Sequence, residues 1–278
     1  MKTTLTIIIL TYNESVHIER AIKSVSGWAD KIIVLDSYSK DDTVEKAKNL
    51  HAEVIFRKFD NYKNQREYAI EYVKDKTEWL LFLDADEYLT EELKSEIIQA
   101  IKDKNVNGFY LARRFIFMNK WIKWGGYYPI YLLRLFRPEH AYLYRTINEH
   151  VIIVGDKKYL QHDLIHHDLK SISDWIDKHN LYANYEAKEL LDFRMNKENV
   201  LQVKFGSTQS ERKNWIRYKI WNKLPTSFMP FCYFTYRYFF KLGFLDGKAG
   251  FIFHFLQCFW FWLLIDVKFS EMKNSDKK

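Results

Sequence analysis

The residues in this chain best placed to do chemistry are two aspartates one position apart. An apolar run of strand length, Trp79-Leu80-Leu81-Phe82-Leu83, ends in Asp84-Ala85-Asp86-Glu87. Side chains on a strand alternate faces, so Asp84 and Asp86 point the same way if the strand geometry continues through them. Two carboxylates on one side of a strand end make a hard oxygen site. Such a site suits Mg²⁺ or Mn²⁺, with substrate phosphates completing the shell. The competing reading is a strand followed by an acidic turn that caps the next helix. Asp36, at the end of another apolar run, can accept hydrogen bonds from a base or a ribose, or cap the segment that follows it. Lys63 and Arg66, one helical turn apart, can bring positive charge to a diphosphate or form a solvated helix face. Arg134 and Arg137, around Leu135-Phe136, face either a diphosphate or solvent.

Two further clusters carry titratable groups. In Asn148-Glu149-His150 the carboxylate can act as a general base on a hydroxyl. The plain alternative is a pair on an edge strand. Leu160 to Asp168 holds His162, His166 and His167 beside Asp163 and Asp168, with His162, Leu164 and His166 on one strand face. Histidine and carboxylate suit zinc. A structural or phosphate-contacting role is preferred, because the aspartate pair already provides for a metal. The loop Trp121-Ile122-Lys123-Trp124-Gly125-Gly126-Tyr127-Tyr128-Pro129 offers aromatic faces and glycines for stacking on sugar rings, or a packed loop core.

These residues need elements to hold them. Thr4 to Leu10 reads as a buried strand, short and β-branched. After the loop Thr11-Tyr12-Asn13-Glu14, apolar residues at 18, 21, 22 and 25 mark an amphipathic helix that stops near Gly27. Lys31 to Leu35 is a second buried strand, Thr43 begins a short helix, and Ala52 to Arg57 is a third strand. A helix around Asn64 to Lys74 then leads to the strand that ends in the aspartates. Strand and helix alternate four times, which predicts βαβ units and a mostly parallel sheet. Ligands bind outside the carboxyl ends of the strands in such sheets, and Thr11 to Glu14, Asp36 and Asp84 to Asp86 all lie at carboxyl ends. Thr90 is placed to cap a helix through Ile101, with Glu91 and Glu92 in its first turn. Gly108 to Phe117 and Ile130 to Phe136 read as strands. Residues 172, 175, 176, 179 and 183 form a helical stripe in which His179 and Tyr182 are core.

At 278 residues the chain is one large domain, or one with an appendage. A net charge of +7 favours an anionic partner. Gly-x-Gly-x-x-Gly and Gly-Lys-Ser/Thr loops are missing, so neither a dinucleotide fold nor a P-loop is indicated. The two cysteines, Cys232 and Cys258, suggest no disulfide framework and fit a reducing cytosol. The start of the chain enters a strand pattern without the features of a signal peptide. The last third changes character. Glu211 to Lys219 is basic and aromatic, and Phe228 to Lys241 and Gly250 to Val267 are dense in Phe, Tyr and Trp. Neither run reads as a clean spanning helix. Basic flanks with aromatic belts fit a helix pair lying in a membrane interface rather than a buried helical subdomain.

Four ordered motifs carry a resemblance. They are Ile7-Ile8-Ile9-Leu10-Thr11-Tyr12-Asn13-Glu14; Ile32-Ile33-Val34-Leu35-Asp36-Ser37-x-Ser39-x-Asp41-Asp42-Thr43; Asn64-Gln65-Arg66; and Phe82-Leu83-Asp84-Ala85-Asp86-Glu87. Together they resemble the family 2 glycosyltransferases, and among those the bacterial lipopolysaccharide-core and exopolysaccharide branch. The match is strong over residues 4–100. It implies an α/β GT-A fold with a C-terminal aromatic helical extension, a UDP-sugar donor, Mg²⁺ or Mn²⁺, and inversion at the anomeric carbon. It further implies donor contacts from Thr11, Tyr12 and Glu14, a uracil-reading Asp36, an assisting Arg66, and Asp84 and Asp86 at the ribose and the metal. Glu149 falls in the region that supplies the family's base. One departure is Asp36-Ser37, where many relatives carry two aspartates.

The expected organisation is a catalytic domain over residues 1–205, with 1–100 binding the nucleotide-sugar and 101–205 on the acceptor side. Residues 206–278 would associate with a membrane. The expected partners are the nucleotide-sugar, a lipid-linked saccharide and an anionic membrane surface, with no nucleic acid. The expected location is cytoplasmic, peripheral on the inner face of a bacterial inner membrane. The alternatives are a phosphatase using Asp-x-Asp as nucleophile and acid, or a non-catalytic membrane-docking protein. Three βα units ahead of the motif argue against the phosphatase.

Overall fold

The computed structural model describes residues 4–144, 150–195 and 228–275. They form two compact units, one of residues up to Lys123 with Tyr127–Leu169, the other of Trp124–Gly126 with the chain from Lys170 onward.

The first unit is built on a sheet of nine strands among the described residues. Strands β1 (Leu5–Thr11), β2 (Lys31–Asp36), β3 (Glu53–Phe56) and β4 (Trp79–Asp84) alternate with helices α1 (Ile18–Val25), α2 (Thr43–Asn49) and α3 (Tyr62–Val73). Then come β5 (Glu87–Tyr88), α4 (Glu91–Ala100), β6 (Val106–Phe117), β7 (Lys120–Trp121), β8 (Tyr131–Phe136), β9 (Ala141–Tyr144), β10 (His150–Ile153) and β11 (Asp156–His167). Neighbours in the sheet run β3-β2-β1-β4-β8-β6-β11-β5, β7 pairs with β6, and β9 and β10 form a separate ribbon. The first four strands are parallel, as their alternation with helices requires. β8 runs antiparallel between β4 and β6, so the sheet is mixed.

Burial on both faces explains the composition of the central strands. Ile7, Ile8 and Ile9 have no exposed surface, and each contributes roughly 1.5–3 kcal/mol by leaving water. Ile7 and Ile9 pack with Ile18, Ala21 and Ile22 of α1 and Leu93 and Ile97 of α4. Ile8 and Phe82 face the opposite way, onto Ala69, Ile70 and Val73 of α3. Thr90 caps α4 by accepting from the Leu93 amide at 3.3 Å, with Glu91 and Glu92 in the first turn.

Register then decides what meets at the edge. Thr11 pairs with Asp36, and Leu10 pairs with Asp84, so three strands end within one residue of each other. β8 adds a fourth contributor through an irregularity. Phe109 pairs with Leu135 but Tyr110 pairs with Leu133, which leaves Arg134 as an extra residue. Such a bulge re-aims a side chain, and this one sends Arg134 to Asp84.

The second unit is helical where it is described, with α5 (Ile172–Met195), α6 (Phe228–Thr235), α7 (Gly247–His254) and α8 (Phe261–Ser275). Ala183 and Ala187, one turn apart on α5, give the close approach that packs Phe261, Ile265 and Phe269 of α8. His179 stacks on Trp175 with ring centroids 3.5 Å apart and meets Gln257 at 3.1 Å. Wider turns at Tyr236–Phe240 close the helix that begins with α6, and those at Phe255–Trp260 join α7 to α8. Trp124 and Gly125 belong here. The Trp124 amide donates to Asp246 at 2.9 Å and the Gly125 amide to the Lys241 carbonyl at 2.8 Å. Gly125 has φ +68, and a Cβ on it would overlap the His254 ring.

One expectation is corrected here. The segment Gly243–Asn274 is 32 residues of helix, long and apolar enough by length and composition to cross a membrane. Counting from Gly250 to Val267 undersizes it, because a 3-10 turn over Gly243–Asp246 precedes the helix, which starts at Gly247 and is not interrupted by His254 or Gln257. The stretch Glu211 to Lys219 lies outside the described residues.

Candidate functional site

The loops that follow β1 and β2 are riveted together by side chains. The amides of Asn13, Glu14 and Ser15 donate to Ser39 Oγ at 2.8 Å, Thr43 Oγ1 at 2.8 Å and Asp41 Oδ2 at 3.1 Å. The Lys40 amide returns a bond to Asn13 Oδ1 at 2.8 Å. These bonds account for the spacing Ser39-x-Asp41-x-Thr43: every second side chain satisfies one amide of the neighbouring loop. Asp36 is fully buried and accepts from Thr11 Oγ1 at 2.8 Å, the Ser39 amide at 2.7 Å and Ser39 Oγ at 2.6 Å. It therefore ties the end of β1 to the loop after β2. Tyr12 and Tyr38 stay exposed, and Tyr38 stacks on Phe56 at 5.5 Å. Both Asn13 (φ 53) and Tyr38 (φ 63) are left-handed. For tyrosine that conformation costs about 1–3 kcal/mol, held in place by the riveted loops.

Asp84 and Asp86 have different surroundings. Asp84 lies between two arginines, with Arg66 Nη2 at 3.3 Å on Oδ1 and the Arg134 guanidinium on both oxygens. Burial pushes the Asp84 carboxyl up, but Arg134 and Arg66 outweigh it and hold the group well below the usual carboxylate range. Arg134 also donates to Glu87 at 3.0 Å, and Glu87, which has no exposed surface, accepts from the Asp84 amide at 2.9 Å. Burial alone would lower the Arg134 pKa, yet Asp84 and Glu87 raise it.

Asp86 instead faces histidine. Its Oδ1 is 3.5 Å from His166 Nδ1, and its carbonyl accepts from the His167 amide at 2.9 Å and from Arg20 at 3.4 Å. His166 Nδ1 is buried and makes no hydrogen bond. A buried imidazole nitrogen that makes no hydrogen bond, beside a carboxylate oxygen, is a donor pair of the kind that holds a divalent cation. Among the described residues no three such side chains gather.

The other sequence candidates separate. Lys63 reaches Glu67 on its own helix at 3.5 Å. Arg137 binds Glu78 at 2.6 Å and the Val106 carbonyl, at the amino ends of β4 and β6 and away from the aspartates. His162 meets Glu96 of α4 at 2.9 Å. Glu14 holds His17 Nδ1 at 2.6 Å, while His17 Nε2 lies 3.2 Å from Asp168 and 2.7 Å from the Leu169 amide. Asn148 and Glu149 lie outside the described residues. Glu87, His17 and Arg20 belong to this edge without having been singled out in the sequence. Glu87 alone left a trace there, as the third acidic residue of the motif.

Comparison with known proteins gives the family. The model of "Glycosyl transferase family 2" matches residues 6–160. An uncharacterized glycosyltransferase of Rickettsia prowazekii is 33% identical over 196 residues, which cover 66% of this chain and 66% of that protein. The SPbeta prophage-derived glycosyltransferase SunS of Bacillus subtilis is 40% identical over 103 residues, covering 36% of this chain and 24% of SunS. Among solved structures, glucosyl-3-phosphoglycerate synthase from Mycobacterium tuberculosis, in complex with phosphoglyceric acid, is similar with a TM-score of 0.35 and 19% identity over 41% of this chain and 44% of that one. With the family's model spanning more than half of its length, the chain belongs to glycosyl transferase family 2, a family of transferases.

Proposed function

We propose that this chain moves a sugar from a UDP-sugar to a hydroxyl of a lipid-linked saccharide, of the lipopolysaccharide-core or exopolysaccharide kind, with inversion at the anomeric carbon. The observation that carries this reading is the shared carboxyl edge, where Asp84 is held ionised by two arginines while Asp86 faces the buried Nδ1 of His166.

In this reading Asp36, Thr11 and the riveted loops form the wall of the uridine site, with Tyr12 and Glu14 on the donor side. Asp84 presents its carboxylate to the ribose, and Arg66 and Arg134 keep it charged. Asp86 and His166 would hold the divalent cation, which when bound offsets the charge of the departing diphosphate. The acceptor oxygen forms a bond to C1 as the bond from C1 to the diphosphate oxygen breaks, and the hydroxyl proton passes to a carboxylate base. Glu149 is assigned as that base on the sequence resemblance.

The second unit would dock the enzyme in the interface of an anionic bilayer at the inner face of a bacterial inner membrane. Supporting this, Phe228, Phe231, Phe239, Phe240 and Phe244 are all exposed, Phe240 by 76%. The expected catalytic and membrane-associating parts, 1–205 and 206–278, belong to the same proposal.

The test is Asp86→Asn. Removing one ligand charge weakens a hard-cation site without disturbing the sheet. UDP release measured across a Mn²⁺ titration should fall to background in the variant, with an unchanged thermal unfolding midpoint. Wild-type kinetics in the variant would sink the metal assignment.

A further inference from the structure

The sheet face carried by β6, β8 and β11 holds a polar aromatic strip that the donor chemistry does not use. On β6, Tyr110, Ala112 and Arg114 point to one face. Tyr110 pairs with Tyr159 of β11, and Ala112 pairs with Tyr131 of β8 on one side and Asp163 of β11 on the other. Tyr110 and Tyr159 stack at 4.9 Å with an interplanar angle of 19°, and Tyr131 meets Tyr159 edge-on at 4.8 Å. Tyr159 is 61% exposed and Tyr131 43%. At the other end Arg114 lies over the Trp121 ring at 4.4 Å and donates to Asp163 Oδ2 at 2.8 Å, while Tyr128 donates its hydroxyl to Asp163 Oδ1 at 3.0 Å. From Tyr110 to Arg114 the strip is about 13 Å long by strand rise.

We propose that this strip is an acceptor subsite that binds a saccharide longer than one ring; the proposal rests on the transferase reading above. Three features favour a saccharide. A pyranose presents an apolar C–H face with a rim of hydroxyls, and tyrosine presents an apolar ring with a polar tip. The charge of Arg114 is matched by Asp163, so the strip offers planar hydrogen-bonding groups and selects no ion. The strip shares its sheet face with the end of β4, because Tyr110 packs in the cluster of Phe82, two residues before Asp84. A lipid chain or an apolar helix would be met by aliphatic side chains instead of tyrosines closed by an Arg–Asp pair. The exposed ring of Tyr159 is thus a specificity determinant for acceptor length.

The experiment is saturation-transfer NMR on the full chain with maltotriose, laminaritriose and tri-N-acetylchitotriose, each against its monosaccharide. At least one trisaccharide should take up saturation at its ring C–H protons, and its monosaccharide much less. The signal should fall at least five-fold in Tyr159→Ala, fall in Tyr131→Ala, and persist in Tyr159→Phe, which keeps the ring. UDP binding with Mn²⁺, measured by calorimetry on the same proteins, should not change. Transfer to no trisaccharide, equal transfer in Tyr159→Ala, or loss in Tyr159→Phe would each overturn the subsite. So would dissociation of an oligomer in Tyr159→Ala in place of any saccharide effect, which would make the strip a contact between copies. Absent UDP binding with intact trisaccharide transfer would sink the donor reading and leave this one standing.

Discussion

Asp84, Arg134 and Glu87 form the most consequential contact set at the scale of single residues. Glu87 has no exposed surface and Arg134 is nearly as buried, so neither can recover its solvation if the other is lost. Breaking a buried pair from one side leaves an uncompensated charge and typically costs about 3–5 kcal/mol. Arg134→Ala should therefore lower unfolding free energy by about that amount in urea titrations. Arg134→Lys should recover only part, because an ammonium cannot fork between Asp84 and Glu87 as a guanidinium does. A stability within about 0.5 kcal/mol of wild type for Arg134→Ala would show that the cluster is not a structural unit. The sequence offered Arg134 two destinations, a diphosphate or solvent, and its place between two carboxylates was hidden in the β-bulge that turns it there.

Between elements, His17 joins the start of α1 to the segment that leaves β11. Burial lowers its pKa, but the hydrogen bonds to Asp168 and Glu14 and their charges more than compensate, and the net shift is upward. A group whose folded pKa is raised stabilises fully below its unfolded value, near 6.5, and loses that contribution as pH rises through the folded value. The stability difference between wild type and His17→Gln should thus be largest near pH 6 and shrink toward pH 8.5, read from urea midpoints at each pH. A difference that grows with pH would contradict an upward shift of the His17 pKa. Much at this scale was legible beforehand. The strand and helix alternation, the α4 cap at Thr90 and the convergence of Thr11, Asp36 and Asp84 follow from period, capping chemistry and the rule for carboxyl ends. The antiparallel insertion of β8 was not legible, because a strand's direction is set by its sheet neighbours and not by its own pattern. The contact of His166 with Asp86 was equally hidden: it joins residues 80 positions apart through the pairing of β11 with β5. Ser39, Asp41 and Thr43 were visible as a motif, but their work as acceptors for the amides of Asn13, Glu14 and Ser15 appears only when the two loops are seen side by side.

For the whole molecule, the α/β unit carries the proposed donor site and the helical unit carries the exposed phenylalanines. If that unit docks in an anionic interface, apolar burial supplies most of the affinity and basic residues add about 1 kcal/mol each near the surface. Flotation of the full chain with phosphatidylglycerol-containing liposomes should succeed at low salt and weaken, without vanishing, at high salt, because burial of phenylalanine is not screened. Protein that stays at the bottom of the gradient at low salt would assign the helical unit a packing role only. The claim on which everything else depends is that the shared carboxyl edge is a metal-assisted uridine diphosphate site. Isothermal titration of UDP, GDP and CMP into the full chain, each with and without Mn²⁺, addresses it directly. The account predicts that UDP binds tightest and that its affinity falls at least ten-fold without Mn²⁺; tighter binding of GDP or CMP, or UDP affinity indifferent to Mn²⁺, would contradict it.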